Sequence, residues 1–484
     1  MSDLSLASGS TYKTLTTGFI RVLHLQPAKS LEAPLVATLK SVHLDQEARY
    51  EALSYSWDGE SNGIPLQDGS IILENVTHSI KGNLSNALRR LRHEDRPRIF
   101  WIDAICINQE NLAERSAQVA IMARIFSTAL RVIMWVGEDS AEGDGKAFID
   151  WCLRATSIQK SSWSKSWRKT VYLIANQSFF YDKSDWVRSQ YYNEPVLSWR
   201  PCKKRDLVFE FHWRRYFRRR WCVQETAFAK QVLLKCGSHE ISLSGLRSAN
   251  HYFHSALRWD TLQETCSDVL ELMAQCNTLQ CFDERDYIFA LASLLRSQPG
   301  CPPITIDYTL SWTQVYINFT SDLIMADSLC QVWRVLHMAA GQYHAPWERS
   351  NELPSWVPDW RYPLLDSIGY KSFSKTNPPA TLSYATMCGD GTTVTLRLAY
   401  FGKLSDVVVQ DDVKEKYRSD DRLYRPHPEQ MVGHVGYMLE LNMAHLVLRA
   451  YGEEAMLFCI VGLFIGDEGG DTPAFVEMHD VFIR

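Results

Sequence analysis

The sequence predicts an α/β fold, a parallel sheet flanked by helices, followed by a mainly helical region and a C-terminal mixed α/β region. Three observations point there. Between Pro97 and Gly137 two apolar runs, Ile99-Phe100-Trp101-Ile102 and Val132-Ile133-Met134-Trp135-Val136, bracket a stretch in which Leu112, Val119, Met122, Phe126 and Ala129 recur at helical spacing. Upstream, Tyr50-Glu51-Ala52-Leu53-Ser54-Tyr55-Ser56-Trp57 alternates with period two before an Asp58-Gly59 turn, as a strand does. The composition, 46% hydrophobic and 22% charged over 484 residues, supplies enough apolar side chains to offset chain entropy in more than one core.

The elements follow in order. Phe19 to Leu25 and Leu35 to Leu39 are two extended segments around a Pro/Lys/Ser loop, which predicts a leading hairpin. The unit between Pro97 and Gly137 is strand, helix, strand; a crossover of that length makes the strands pair in parallel with right-handed connection. Ligands of such sheets bind beyond the strands' carboxyl ends, and Asp103, Cys106, Asn108 and Gln109 fall in that loop. Asn111 and Glu114 have the spacing of a capping box, so Glu114 is expected to orient the helix start and not to act chemically. A polar stretch at about residues 140–211 reads as an insertion. Beyond it, a helix from Trp221 to Ala229 puts Trp221, Glu225 and Phe228 on one face, a carboxylate between two rings. Such a group needs a donor or cation when desolvated. Either one of the five arginines between Arg214 and Arg220 pairs with it, or it is a catalytic acid.

Further on, Gly389-Asp390-Gly391 separates Leu382 to Met387 from Val394 to Leu398 and predicts a hairpin turn. Met438 to Ala450 reads as helix. Ala455 to Ile465 is the longest apolar stretch; it is well short of the roughly 20 residues that cross a bilayer, and is expected to be a core segment. The expected division is an α/β domain at about 1–240, a helical region at about 241–361 and a β-containing region at about 362–484.

Composition also excludes functions. With 51 Lys and Arg against 56 Asp and Glu the net charge is −5, which excludes a globally basic nucleic-acid binder. The arginine run interleaved with Trp213, Tyr216, Phe217 and Trp221 leads into a helix, and no nucleic-acid partner is expected. Twelve cysteines contain no C-x-x-C pair, so neither a zinc site nor a thioredoxin motif is expected, and the thiols read as reduced and mostly buried. The first residues lack a secretory signal, and a cytoplasmic location without a membrane span is expected. No G-x-G-x-x-G after a strand, Walker loop, G-x-S-x-G or H-E-x-x-H motif is present. The 16 Trp, 21 Tyr and 20 Phe supply large buried areas for these cores.

Four motifs in succession resemble those of the fungal heterokaryon incompatibility (HET) domain: residues 50–57; Trp101-Ile102-Asp103-Ala104-Ile105-Cys106-Ile107-Asn108-Gln109; Glu114-Arg115 with Gln118-Val119 and Met122; and Arg219, Trp221, Gln224 and Glu225. Segments at 283–291, 306–308 and 353–360 are similar to those that often follow it. Asp58 interrupts the family's usual Trp-Gly after the first strand, and Tyr216 stands where a Trp is common. The resemblance implies a role in non-self recognition and programmed cell death. It also implies a distant, TIR-like relation to Toll/interleukin-receptor domains, some of which hydrolyse NAD with a helical glutamate, in plant members within Trp-Cys-x-x-Glu. Trp221-Cys222-Val223-Gln224-Glu225 is similar to that pattern. On this resemblance Glu225 is the expected catalytic residue; Asp103, Asn108, Trp57, Arg219 and Trp221 are expected to bind substrate. NAD is then a substrate, and no cofactor or metal is expected. The alternatives are a non-enzymatic module that self-associates or docks an incompatibility partner, and an accessory protein in a metabolic pathway.

Overall fold

A computed structural model describes residues 12–159 except 47, 59, 62 and 63; 207, 210–211, 213–243 and 245–246; 266 and 268–326; 332, 334–336, 338–339 and 342; 350–362; and the segments 382–388, 393–403, 435–438, 444–450, 457–465 and 478–483. Most of the expected insertion and the Gly389-Asp390-Gly391 turn lie outside the described residues. The chain divides into two compact units, Met1–Leu262 and Gln263–Arg484.

In the first unit the elements run β1 (Phe19–Leu25), β2 (Leu35–His43), β3 (Glu51–Tyr55), a two-residue ribbon of β4 (Glu60–Ser61) and β5 (Ile64–Pro65), β6 (Gly69–Leu73), β7 (Val76–Ile80) and α1 (Gly82–Leu91). They continue with β8 (Arg98–Trp101), the single turn α2 (Asp103–Cys106), α3 (Leu112–Ala120), α4 (Met122–Thr128), β9 (Val132–Trp135) and α5 (Asp144–Gln159). After a 3-10 turn, Arg215–Arg218, come α6 (Trp221–Ala227), β10 (Val232–Cys236) and β11 (His239–Ser242). All strands but the ribbon form one nine-stranded sheet in the order β11-β10-β9-β3-β8-β1-β2-β6-β7. The centre, β8, β3, β9 and β10, is parallel throughout.

The α/β class therefore stands, as a mixed sheet: the leading hairpin β1–β2 forms and pairs antiparallel with β8, extending the parallel centre. One expectation is corrected. β8 and β9 do not pair with each other, because β3 lies between them and pairs with both. A helix is about 10 Å wide and adjacent strands about 4.8 Å apart, so the α3–α4 crossover covers two strand positions as readily as one. β3 takes the middle because every one of its residues is buried, the mark of a strand covered on both faces. At the far edge, Glu74 and Asn75 both have positive φ, 49° and 68°, and close the two-residue β6–β7 hairpin, the geometry of a type I′ turn.

Buried polar contacts hold the loops at the carboxyl ends of these strands. Arg21 of β1, 2% exposed, pairs with Glu114 at 2.5 Å and donates to the Cys106 carbonyl at 3.1 Å. Glu114 also accepts the Asn108 amide at 2.8 Å, while its own amide donates to Asn111 Oδ1 at 3.1 Å. Asn111 is thus the N-cap of α3, and Glu114 has the structural role expected of it. Asn83 of α1 donates to the Ser56 carbonyl at 2.6 Å and accepts from Trp135 Nε1 at 2.9 Å, tying the ends of β3 and β9 together.

In the second unit the described helices are α7 (Val269–Gln275), α8 (Asp286–Phe289), α9 (Ala292–Leu295) and α10 (Trp312–Met325). The strands are β12 (Leu382–Met387), β13 (Val394–Lys403), β14 (Val435–Met438), β15 (Ala444–Ala450), β16 (Leu457–Ile465) and β17 (Met478–Ile483). They form one six-stranded sheet in chain order, and a further β13–β17 pairing closes five of the strands into a ring. The hairpin expected around residues 389–391 is present as β12–β13. The helix expected from Met438 to Ala450 is not: Met438 ends β14, and 444–450 is strand, paired with β14 and β16. Short apolar runs fit either period, and the neighbouring strands' open hydrogen-bonding edges decide between them. The apolar segment around Ile465 is likewise the strand β16, and no described helix is long and apolar enough to cross a membrane.

The Arg21–Glu114 pair yields a direct test. Glu114→Ala leaves a guanidinium buried without its carboxylate and is expected to cost about 3 kcal/mol, read as a lower urea midpoint. Truncating both partners together is expected to cost less than the single change.

Candidate functional site

In space the parallel centre runs β8-β3-β9-β10, so the chain moves one way from β3 to β8 and the other way from β8 to β9. The crevice at the carboxyl ends beside such a reversal is where open α/β sheets place ligands. The end of β3 supplies Ser54 and Tyr55, followed by Ser56 and Trp57. The loop after β8 supplies Asp103, and the segment before β10 supplies Tyr216, Arg219 and Glu225.

Trp57 donates its indole N–H to Asp103 Oδ2 at 2.8 Å. Asp103 opens α2; its Oδ1 accepts the Ala104 amide at 2.7 Å and its carbonyl accepts from Gln109 Nε2 at 2.9 Å. Burial raises the Asp103 carboxyl above its ordinary range, against the pull of Arg219 and of the Trp57 and Ala104 donors. Arg219 caps the 3-10 turn and donates to the Tyr55 carbonyl. Burial works against its charge, but Cys222, Glu225 and Asp103 outweigh that and raise its pKa.

Glu225 lies in the middle of α6 and is 3% exposed. Its Oε2 accepts a hydrogen bond from Ser54 Oγ, which is also 2.7 Å from the Tyr216 hydroxyl. Desolvation pushes the carboxyl up to about 7, opposed by Arg219, reinforced by Asp103 and opposed again by Ser54. It is thus an acid poised between its two states near neutral pH, inside a cluster of opposite charge. Beside the site, a cavity of about 10 Å³ lined by Tyr55, Trp57, Lys81, Leu84, Ala104 and Ile105 has room for about one water molecule.

Of the residues singled out from the sequence, Trp57, Asp103, Arg219 and Glu225 come together. Trp221 is the half-buried first residue of α6, one turn before Glu225. Asn108 serves the start of α3: its amide donates to Glu114 and its Oδ1 accepts the Glu110 amide at 3.3 Å. The arginine run is divided among separate neighbours. Arg214 pairs with Asp144 at 2.7 Å, Arg215 lies 3.6 Å from Asp58, and Arg218 stacks 4.8 Å over Trp213. Arg219 acts among the causes that shift Glu225. Ser54 and Tyr216 were not anticipated; the available signal was a small hydroxyl side chain at a buried position of the central strand, between Leu53 and Tyr55. Among the described residues no group of three or more His, Cys, Asp or Glu could hold a metal ion.

The shift of Glu225 makes stability depend on pH in a defined direction. The folded-state value, about 7, lies above the usual 4.5, so the folded state holds the extra proton between them. Stability from this group is full below about 4.5 and is lost as pH rises through about 7. Glu225→Gln removes that loss. The variant is expected to be more stable than the wild type at pH 8 by up to about 3 kcal/mol, with the difference vanishing near pH 4. Urea denaturation at the two pH values measures it, and equal stabilities at both would contradict the assignment.

A family model described as heterokaryon incompatibility protein (HET) matches residues 50–225, a span that begins just before β3 and ends on Glu225. The chain is similar to heterokaryon incompatibility protein 6, OR allele, of Neurospora crassa, with 25% identity over 406 residues, 70% of this chain and 57% of the relative. The chain thus spans little more than half the length of that curated relative. No solved structure matches. The match and the α/β architecture agree with the four motifs in their order, and the domain at residues 50–225 belongs to the heterokaryon incompatibility (HET) family.

Proposed function

We propose that this HET-domain protein acts in incompatibility-type non-self recognition and cell death in the cytoplasm, by cleaving NAD at Glu225. The observation that carries the reading is a single buried carboxyl, pushed up to about 7, at the carboxyl end of a parallel sheet and in the field of Arg219 and Asp103. Breaking the nicotinamide–ribose bond builds positive charge at the anomeric carbon. An ionised carboxylate there stabilises an oxocarbenium-like transition state, as in glycoside hydrolysis, before water adds to the ribose. Glu225 fills that role in its ionised form, in this reading, with Asp103 orienting the ribose side and Arg219 serving the phosphates. Trp57, fastened to Asp103, and Trp221 supply aromatic surface at the rim. The Trp-Cys-x-x-Glu similarity to TIR domains supports the same assignment. The cavity adjoining Trp57 holds about one water molecule, so a nucleotide does not fit there without a rearrangement.

The burial of Glu225, at 3% exposure, also favours a second reading: a non-enzymatic module in which the domain self-associates or docks an incompatibility partner, and the cluster around Glu225 only holds the fold. The two readings separate in one experiment. Purified full chain is expected to consume NAD and release nicotinamide, with activity rising as pH passes through about 7. Glu225→Gln is expected to lower the rate by about 10²–10³-fold while the fold is kept. Wild-type protein that leaves NAD intact, alone and when forcibly oligomerised, overturns the enzymatic reading. Cell killing that survives Glu225→Gln establishes the second.

A further inference from the structure

We propose that Ser54 and Tyr216 are positioning residues for Glu225, a hydrogen-bonded relay that fixes the orientation of its carboxylate at the carboxyl end of β3. The inference rests on the reading of Glu225 as the reactive group and adds what holds it. Ser54 is 0% and Tyr216 1% exposed. A hydroxyl buried in a strand covered on both faces is costly without partners, and Ser54 has one on each side.

The relay has a direction. An ionised carboxylate only accepts, so the single hydroxyl proton of Ser54 goes to Glu225 Oε2, and Ser54 Oγ in turn accepts from the Tyr216 phenol 2.7 Å away. Burial raises the phenol's own pKa, so it keeps its proton throughout the neutral range. The 3-10 turn that carries Tyr216 is capped by Arg219, which donates to the Tyr55 carbonyl. Two successive residues of β3 therefore receive the two arms of one turn, and the carboxylate on α6 is held by the first of them. With Oε2 engaged by Ser54, the carboxylate cannot rotate freely.

The other ionisable groups around Glu225 are Cys222 on α6, Tyr55 on β3, Asp103 on α2 and Arg219 before α6. β9 contributes only Val, Ile, Met and Trp, and α4 turns Met122, Ile125 and Phe126 inward while its Arg124 pairs with Asp45 at the surface. Of the neutral hydroxyls, Ser54 bonds this carboxyl directly and Tyr216 acts through Ser54, while the Cys222 thiol, kept protonated by burial, is a further hydrogen-bond donor to it.

The test follows the carboxyl directly. In full chain labelled with ¹³C at glutamate side chains, the Glu225 signal, assigned by its loss in Glu225→Gln, is expected to titrate near 7. In Ser54→Ala it is expected to move up by about one unit, and in Tyr216→Phe by less. In NAD cleavage the rising limb of kcat/KM against pH is expected to move with it, kcat falling at pH 7 while KM changes little. Tyr216→Phe keeps the ring and its packing, so it decides the matter if Ser54→Ala fails to fold. A titration unchanged in the folded variant overturns the relay, whatever the activity. Absence of NAD cleavage in the wild type overturns the enzymatic reading alone, because the carboxyl titration still reports whether Ser54 and Tyr216 hold Glu225.

Discussion

Burying Glu225 at 3% exposure removes a carboxylate from water, and the cost rises as its surroundings become more apolar. The end of the sheet is arranged around offsetting that cost: Arg219 supplies opposite charge, and Ser54 a hydrogen bond. Asp103 works the other way, placing a second acid in the same field and helping keep Glu225 near its midpoint. A neutral core would be simpler and, at matched volume, often as stable. A cluster of two acids and one guanidinium at a strand end is what a site requires and what stability alone does not.

That cluster is only as well defined as the loops that carry it, and each loop is anchored from below. The loop after β8 is tied to β1 through Arg21, which reaches both the Cys106 carbonyl and Glu114. The loop after β3 is tied to α1 through Asn83, which also holds Trp135 at the end of β9. These contacts cross the first unit between residues far apart in the chain. A lost partner leaves a buried polar group unsatisfied, the costly side of the hydrogen-bond asymmetry. They explain how short strands of four and five residues can hold side chains in register for a site.

The burial of Glu225 has a physical consequence for either reading. Burial at 3% exposure keeps the dielectric low around the Glu225 carboxyl, and low dielectric strengthens its interactions with Arg219 and Asp103. A binding event that displaces Trp57 from Asp103 would change the electrostatics of Glu225 and the conformation together.

Local patterning was enough to identify β3, the strand-helix-strand unit, the helix bearing Glu225 and the cap formed by Asn111, because period, turn residues and capping chemistry act within a few residues. It was enough to order the motifs of the HET domain for the same reason: each is a short string. Pairing partners were another matter. That β3 separates β8 from β9, and that residues 444–450 form a strand where their apolar spacing also fits a helix, depend on which hydrogen-bonding edges meet in space. The partners of the acidic position lay equally beyond reach. Five arginines precede Glu225 in sequence, but only the folded chain sends Arg214 to Asp144 and Arg219 to the end of β3, and brings Ser54 to the carboxylate across 171 residues. Sequence specifies residue chemistry and local geometry; desolvation and contact between distant segments arise only when the chain closes on itself, and those decide whether a glutamate is a surface charge or a poised acid.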